Sequence, residues 1–490
     1  MVAMSDPDLA TLAAALSSES LDQLVTGLAD SMVMAMQAVH TPTQPPPAPA
    51  TTTTSSSSSS PSNVQGPESY LPSTMLPSYI SALPTGLEKG TFIAVDVGGS
   101  TLRIGVVSFE QDSRQLRYLT SEPLDAAIRN IDGKSFFLWL ASQLQSVVYV
   151  AEANGWIEEG ISVPVGVTWS FPLDQTSVSS GRILSMGKGF AAMGQDIYGW
   201  DLRTVFQQCC KDIGLDMDLR AVVNDSVATI LSHMQTDRRC KIGLILGTGV
   251  NASVKVPITC LDEEKLSRCN PRDLERYAEC ILNTELSMFG TDILPRTRWD
   301  AELDASNEKP GFQPFEMMVS GRYIAELARY IVRDTVLKFR PSSSVPAGLD
   351  RPYGLDTSTM SVVEGELDIQ FARQQFLARH PCKEGRSGIT IDEMKFIKAA
   401  FYAVSSRAAA VVAAGILALA VGVLPPSTPP GDGDEIVVAA TGSVIEKYSG
   451  FRLRVQEFLN LLGQRRGKKI ILAVTGDSSI WGAAVAAAIN

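Results

Sequence analysis

The sequence predicts an α/β protein with at least two domains, and three observations support that prediction. The chain has 490 residues, which is more than one hydrophobic core usually accommodates. Apolar strands run into glycine turns and out again at 92–109 and at 241–254, in different halves of the chain. The last segment, 469–490, has the pattern of a strand, a turn and an Ala-rich helix. Strands that alternate with helical stretches in this way are typical of α/β folds.

The composition excludes several classes of function. A net charge of −11 argues against general nucleic-acid or anionic-membrane binding, because both need a basic surface. Seven cysteines without a C-x-x-C pair, and only three histidines, predict neither a metal site built by the protein nor a disulfide framework, and they suit a reducing compartment. No signal peptide is recognisable, and the first arginine is Arg103, which disfavours a mitochondrial transit peptide. We expect a cytoplasmic protein, with association with the mitochondrial surface or the nucleus left open.

Residues 1–40 predict one N-terminal helix. The apolar residues of 18–36 fall close to one helical face, and Ser18 is placed to cap it. Residues 41–69 are rich in Pro, Thr and Ser and cannot bury a core, so we expect a disordered insert there. The insert is either a phosphorylation target or an inert tether.

The first glycine turn follows the apolar strand that begins at residue 92. Gly98 and Gly99 permit a backbone that a Cβ atom would forbid, and the amides of such a turn can surround an anion. Asp96, at the strand end, is placed to hold a hydrated Mg²⁺ beside phosphates. An ordinary β-hairpin uses the same residues, so the phosphate interpretation stays one of two. The Walker pattern G-x-x-x-x-G-K-[ST] is absent.

A second apolar strand is predicted over 163–172, and Lys188 follows it between two glycines. A lone lysine is usually a solvated charge. Beside a phosphate it stabilises the negative charge that develops during transfer. Both interpretations of Lys188 stay open at this point.

The segment 220–230, RAVVNDSVATI, is the centre of the functional prediction. An apolar strand ends here directly at Asn224 and Asp225, and α/β folds bind their ligands at the carboxyl ends of strands. Asp225 is therefore our candidate general base for a substrate hydroxyl, with Asn224 as a hydrogen-bonding partner of the same substrate. The alternative is plain helix capping, for which Asn-Asp-Ser is equally suited.

Further along, Glu285 and Glu316 are either ligands or ordinary surface or cap carboxylates. The apolar run 408–424 spans 17 residues, is rich in alanine and ends at Pro425-Pro426. A membrane span needs about 20 strongly apolar residues, so we predict a buried core helix there and no membrane span.

These motifs together resemble the hexokinase family from about Leu76 to Asn490. The resemblance is carried by LPSYISALPTGLEKGTFIAVDVGGSTLR, SFP, QTS, KGF, VVNDSVAT, GTGVN, NTE and FE, with YGLDTSTMS, VSSRAA and TGSVIEKY as further pieces. It implies an actin-like, ribonuclease-H-like fold of two domains with a hinged cleft. The small domain would comprise 70–223 plus 475–490, and the large domain 224–474.

The resemblance also implies the ligands and the residues that hold them. A hexose, with glucose as the expected one, would lie in the cleft, and ATP-Mg²⁺ would lie across it. Asp225 and Lys188 would be catalytic. The sugar would be held by Ser170, Lys188, Asn224, Asp225, Asn251, Glu285 and Glu316, and ATP-Mg²⁺ by Asp96, Gly98, Gly99, Ser100, Arg103, Thr248, Gly249 and Ser479.

Several departures from the family pattern bear on activity. Thr101 replaces an Asn of the first turn, Gly187 replaces a Thr of the sugar loop, and Ala228 replaces a Gly. In the last turn, Ser478 and Ile480 replace glycines. There a β-branched residue forced into left-handed geometry would cost about 1–2 kcal/mol, and its side chain would fill adenine space.

Two hypotheses of function follow, and a third is kept beside them. The first is a regulatory homologue with a hexose cleft, a weakened or lost ATP site and little or no kinase turnover. It resembles the atypical hexokinase-like proteins of filamentous fungi, and it would act with protein partners in carbon-starvation responses and the control of secreted proteases. The second is an active ATP-dependent hexokinase of glycolysis. The third is a scaffold that binds neither ligand.

Overall fold

The computed structural model describes residues 16–37, 74–80, 82–110, 113–184, 197–267, 278–338, 340, 344–382, 388–425 and 435–490. The predicted disordered insert 41–69 lies outside these residues, and so do Gly187 and Lys188. Within the described part of the chain, the strands form two large sheets and one small hairpin.

The first sheet has five strands in the order β4-β3-β2-β5-β8. The segment 92–109 forms the antiparallel pair β2–β3 as predicted, and β5 and β8 extend the sheet in parallel. Six consecutive residues at the end of β2 are buried, so this central strand is apolar on both faces. The strands are β2 (Gly90–Val97), β3 (Thr101–Glu110), β4 (Ser113–Pro123), β5 (Val163–Trp169) and β8 (Met217–Val223).

The second sheet has six strands in the order β1-β11-β10-β9-β12-β13. Its strands are β1 (Leu76–Pro77), β9 (Cys240–Leu246), β10 (Val250–Pro257), β11 (Glu279–Asn283), β12 (Glu435–Thr441) and β13 (Lys469–Val474). Strands β6 (Leu173–Ser177) and β7 (Ser180–Ile183) form the separate hairpin. The short β1 pairs with β11 of this second sheet, although our boundary from the sequence groups residue 76 with the first domain.

The two sheets repeat one topology. In each, three consecutive strands form an antiparallel meander, and two later strands are added in parallel beside the first strand of the meander. The two strand–glycine turn–strand units of the sequence are the opening hairpins of these meanders. The structure therefore confirms the coarse duplication that the sequence indicates.

The helices, numbered in chain order, lie in both halves of the chain. Those of the first half are α1 (Ser18–Gln37), α2 (Ala126–Arg129), α3 (Gly133–Ala153), α4 (Leu202–Asp212) and α5 (Asp225–Met234). Those of the second half are α6 (Glu263–Ser267), α7 (Arg298–Ala305), α8 (Pro314–Val319), α9 (Gly321–Val332), α10 (Thr357–Gly365), α11 (Ile369–Arg379), α12 (Ile391–Ala418), α13 (Ser443–Lys447), α14 (Phe451–Arg465) and α15 (Ser478–Ile489).

Helices α5 and α15 form a shared layer between the sheets. One apolar cluster of the protein contains residues of these two helices together with residues of strands from both sheets. The helices cross closely, because a Cβ atom on Gly482 would lie only 2.0 Å from the carbonyl oxygen of Ala228. Gly482 therefore leaves room for the backbone of α5 at residue 228.

The N-terminal helix is part of the folded body. All five residues of its predicted apolar face are buried: Leu21, Leu24, Leu28, Met32 and Met36. The hydroxyl of Ser17, and not that of Ser18, accepts the hydrogen bond from the amide of Ser20 at the start of α1 (3.2 Å). The predicted cap, Ser18, was thus one residue too late. Lys265 Nζ donates to the carbonyl oxygens of Ala35 (2.5 Å) and Met75 (3.1 Å), on the two sides of the insert.

Helix α12 contains the apolar run 408–424 up to Ala418. By length and hydropathy, Ile391–Val423 is the one candidate membrane span found within the described residues, and 89% of its most apolar window is buried inside the protein. Arg407 lies in this window and forms a buried ion pair with Asp300 (2.7 Å). The prediction of a core helix is consistent with this burial.

Candidate active site

The carboxyl end of β8 leads directly into α5, and this junction positions Asn224 and Asp225. Asn224 caps the helix, because its side-chain oxygen accepts from the amide of Ser226 (2.9 Å), and Asp225 is the first helical residue. Ser170, just beyond the end of neighbouring β5, donates its hydroxyl to Asp225 Oδ2 (3.4 Å). The capping interpretation of Asn224 is therefore correct, and it leaves Asp225 beside a second polar group at the same edge of the sheet.

A chain of three asparagines extends from this junction into the second sheet. Asn251 Nδ2 donates to the side-chain oxygens of Asn224 (3.3 Å) and Asn283 (2.9 Å). Asn283 Nδ2 in turn donates to Glu285 Oε1 (2.7 Å). Glu285 has a left-handed backbone with φ of 52°, a conformation that costs a non-glycine residue free energy and is concentrated at functional sites. The candidate site thus bridges both sheets.

Glu316 lies against the second glycine turn. Its Oε2 accepts from the amide of Val250 (2.9 Å). A Cβ atom on Gly249 would lie 2.6 Å from the same carboxylate oxygen, so only glycine fits there without displacing Glu316. Thr248, at the tip of this turn, is exposed.

At the first glycine turn, Asp96 is buried and pairs with Arg103 across the β2–β3 hairpin (2.6 Å). Arg103 also reaches Asp477, at the start of α15 (3.1 Å). Burial raises the pKa of Asp96, Arg103 opposes the rise, and the negative charge of Asp225 adds to it. The hydroxyl of Ser479 also hydrogen bonds to Asp96. The first turn and Asp225 therefore belong to one electrostatic environment.

Comparison with known proteins identifies the family. The hexokinase family models match residues 13–235 and 241–489. The chain is 30% identical to Hexokinase-1 of Oryza sativa subsp. japonica, over 85% of this chain and 82% of that protein. It is 29% identical to N-acetylglucosamine kinase 1 of Candida albicans, over 86% of both chains. This chain belongs to the hexokinase family.

Comparison with solved structures confirms the fold. The hexokinase from Schistosoma mansoni complexed with glucose superposes with a TM-score of 0.74 at 24% identity, over 98% of this chain and 97% of that one. The predicted two-domain, actin-like α/β fold is therefore correct. The five-stranded and six-stranded sheets are its two halves.

The expectation of strain in the last turn of this hexokinase-family protein is wrong. Ile480 lies within the first turn of α15 with an ordinary helical backbone, and the left-handed residue is Asp477 (φ 49°). The Ile480 side chain is fully buried in the apolar cluster shared by the sheets, beside Gly105. The Ser478 hydroxyl lies 3.1 Å from that of Thr229 in the protein interior. Neither Ser478 nor Ile480 has a left-handed backbone, so neither costs backbone strain, and both side chains lie in the protein interior.

Most of the predicted site residues that the structure describes come together. The described members of the sugar set lie where the two sheets meet, and Asn251 connects Asn224 to the side of Glu285. Gly98, Gly99 and Ser100 form the first turn, which is closed by the amide of Gly98 donating to the carbonyl of Thr101 (3.1 Å). Lys188 lies outside the described residues, so its predicted role stays a prediction.

Two residues of the site escaped the sequence analysis. Asn283 connects Asn251 to Glu285, and its signal in the sequence is its place in the NTE motif, whose glutamate the resemblance assigns to the sugar. Asp477 pairs with Arg103 across 374 positions, and no local pattern marks that pair. Both act through other members of the site.

The residues present fit ATP-Mg²⁺. Asp96 offers a buried carboxylate next to a glycine turn, and the hard oxygen ligands that Mg²⁺ prefers are of this kind. The second turn faces the same edge and excludes a Cβ atom at Gly249. In this family such residues would hold the phosphates with their metal ion, between the two sheets.

Proposed function

We propose that this protein binds a hexose in the cleft between its sheets and transfers the γ-phosphoryl group of ATP to the sugar 6-hydroxyl. The single observation that supports this most strongly is the position of Asp225, which contacts Ser170 and begins the helix capped by Asn224. A carboxylate there has a polyol-binding network on one side and a phosphate turn on the other. Such a base raises the reactivity of a bound hydroxyl.

The residues would divide the work as follows. Asn251, Glu285 and Glu316 offer donors and acceptors to sugar hydroxyls, and a site of this kind rejects analogues that lack a hydroxyl. Asp225 takes the proton of the 6-hydroxyl as the new bond from oxygen to the γ-phosphorus forms and the bond to the β-phosphate oxygen breaks. ATP-Mg²⁺ supplies the phosphoryl group and neutralises part of its charge.

A regulatory function is the second candidate, and Thr101 favours it. An asparagine side chain at this position would offer two N–H donors to phosphate oxygens, whereas a threonine hydroxyl offers one. Gly187 likewise lacks the hydroxyl of the threonine it replaces. A protein weakened in this way would keep its hexose cleft and act through protein partners as a sensor of carbon status, including in carbon starvation and the control of secreted proteases.

Turnover separates the two candidates. We would measure sugar phosphate formation with saturating hexose and ATP-Mg²⁺, using glucose and N-acetylglucosamine in parallel, for wild type and Asp225→Ala. The expected result is a loss of kcat of about a hundredfold or more in Asp225→Ala. Asp237→Asn is the matched control, since that carboxylate pairs with Arg239 outside the site (2.8 Å).

Equal background rates in wild type and Asp225→Ala would contradict the kinase proposal. Hexose binding by the same sample, measured by calorimetry, would then support the regulatory candidate. An absence of hexose binding would leave only the scaffold.

A further inference from the structure

Lys265 is a buried cation to which the proposed phosphoryl transfer assigns no role. It lies in α6, and only 8% of its surface is exposed. Its ammonium donates to the carbonyl oxygens of Ala35 (2.5 Å), Thr74 (3.2 Å) and Met75 (3.1 Å). Burial lowers the pKa of Lys265 to about 8, and the negative charge of Asp262 opposes that shift. Lys265 is therefore largely charged at neutral pH, and it joins main-chain oxygens of two separate segments.

One of these segments is the end of the N-terminal helix. Ala35 lies in the last turn of α1, and that turn contains no basic residue of its own. The carbonyl oxygens of a last helical turn have no partner within the helix, and the helix dipole makes this end negative. Lys265 supplies a donor and a positive charge to it from α6.

The other segment leads to a residue of the hexose site. Met75 has a left-handed backbone with φ of 53°, which is uncommon for a residue with a Cβ atom. Its carbonyl oxygen accepts from Lys265, and its amide donates to the carbonyl oxygen of Thr284 (3.2 Å). Thr284 directly precedes Glu285, whose backbone is left-handed as well. Met75 and Thr284 thus connect the ammonium to the backbone of Glu285.

Strand pairing reinforces this connection. Strand β1 begins directly after Met75, and its Leu76 pairs with Asn283 at the end of β11. On the other side of β11, the amide of Thr284 donates to the carbonyl oxygen of Ala252 in β10 (2.9 Å). The end of β11, which leads into Glu285, is therefore held between β10 and the segment that Lys265 contacts.

We infer that Lys265 is a positioning residue for the hexose, and that it couples the last turn of α1 to the hexose site. This inference rests on the hexose site of the proposed function, on which Lys265 acts through Met75 and Thr284. Without the ammonium, Met75 loses a donor that holds its carbonyl group, and Glu285 is less firmly placed. Asp225 takes part in none of these hydrogen bonds, so hexose affinity changes and the transfer step does not.

A comparison of hexose affinity with turnover tests the positioning role. We would measure binding of glucose and N-acetylglucosamine by calorimetry, and KM and kcat by the coupled assay, for the full chain and for Lys265→Met. This variant removes the charge and the donors but keeps an unbranched side chain. We expect the dissociation constant and KM for the hexose to rise about tenfold, while kcat changes by less than about twofold.

The matched control is Lys255→Met on β10. Lys255 pairs with Glu279 at the opposite end of β11 (2.8 Å), so its loss is expected to leave hexose affinity as in wild type. An unchanged hexose dissociation constant in Lys265→Met would overturn the positioning role. A fall in kcat with unchanged KM would overturn it too.

Hydrogen exchange of wild type tests the coupling without any variant. Because coupling between two sites is reciprocal, bound hexose is expected to slow amide exchange in the last turn of α1 about tenfold. The last turn of α11, which none of the hydrogen bonds above includes, is the control segment.

The outcomes separate this inference from the proposed function. Unchanged exchange in α1 with hexose bound would overturn the coupling, and turnover by the same sample would still support the kinase. Hexose bound without turnover would contradict the kinase, and the exchange rates would still decide the coupling. Wild type that binds neither sugar would overturn the hexose site and this inference together.

Discussion

Asn283 is the residue on which the sugar cluster depends without having been predicted. It accepts from Asn251 and donates to Glu285, so two residues assigned to the sugar share one side chain. A side chain that orients two others this way acts on substrate through them.

Asn283→Ala is therefore expected to weaken hexose binding. The variant removes the hydrogen bond from Asn251 and the hydrogen bond to Glu285, and each lost hydrogen bond is worth about 1 kcal/mol. We expect a dissociation constant for the hexose about tenfold higher or more, measured by calorimetry, with the free energy of unfolding changed much less. Asn154→Ala, an exposed helix cap distant in sequence, is the control. Unaltered hexose affinity in Asn283→Ala would exclude Asn283 from the site.

Residues of the site differ in whether the sequence alone predicts them. Asn224 and Asp225 were predictable, because an apolar strand stops immediately before them. Asn283 was not, because its neighbour Asn251 lies on another strand, and only the β10–β11 register brings the two together. Local pattern identifies strand ends, whereas the contacts between strands depend on register.

Among the elements, the crossing of α5 and α15 fixes the helix that begins at Asp225. A Cβ atom on Gly482 would meet the carbonyl oxygen of Ala228 at 2.0 Å, and one on Gly166 of β5 would meet that of Ala483 at 2.0 Å. Helix α15 is therefore clamped between α5 and the first sheet at two positions without side chains. The sequence predicts a nucleotide surface at the last turn, because the loss of a glycine gives the same signal in a loop and in a helix. The structure assigns Ile480 to the interior instead.

Gly482→Ala tests this close crossing. In an open helix the change would stabilise the protein by about 1 kcal/mol, since alanine has the higher helix propensity. Here we expect destabilisation by about 1–3 kcal/mol or more, because the backbone of one helix must move to admit the Cβ atom. We also expect a fall in kcat, because α5 shifts together with Asp225. Chemical denaturation measures the free energy of unfolding, and the coupled assay measures kcat. Gly476→Ala is the matched control, with no atom within 4 Å of the added Cβ. Stabilisation by Gly482→Ala would show that the helices do not touch there.

In the whole molecule, the duplication of strand–turn–strand units can be predicted from the sequence, but the contacts that join the two halves cannot. The joint depends on contacts between residues far apart in the chain. One of these is the contact of His233, in the last turn of α5, with Thr475, which links β13 to α15 (3.1 Å). The amide of Thr475 donates to Ala440 of the second sheet (2.9 Å), so His233 connects the shared helical layer to that sheet.

The pH dependence of stability tests this joint. Burial lowers the pKa of His233 below its usual 6.5; Asp237 opposes the shift, while Arg114 and Arg239 add to it. At a pH between the pKa values of His233 in the folded and in the unfolded chain, the unfolded chain binds one proton more. The contribution of His233 to the free energy of unfolding is therefore full above about pH 6.5 and falls as pH decreases, by up to about 1.4 kcal/mol per pH unit. His233→Gln should lack this component while its carboxylates titrate as in wild type. Denaturation of both proteins from pH 7.5 to 5 measures the difference, and parallel curves would contradict the lowered pKa of His233 in the folded state.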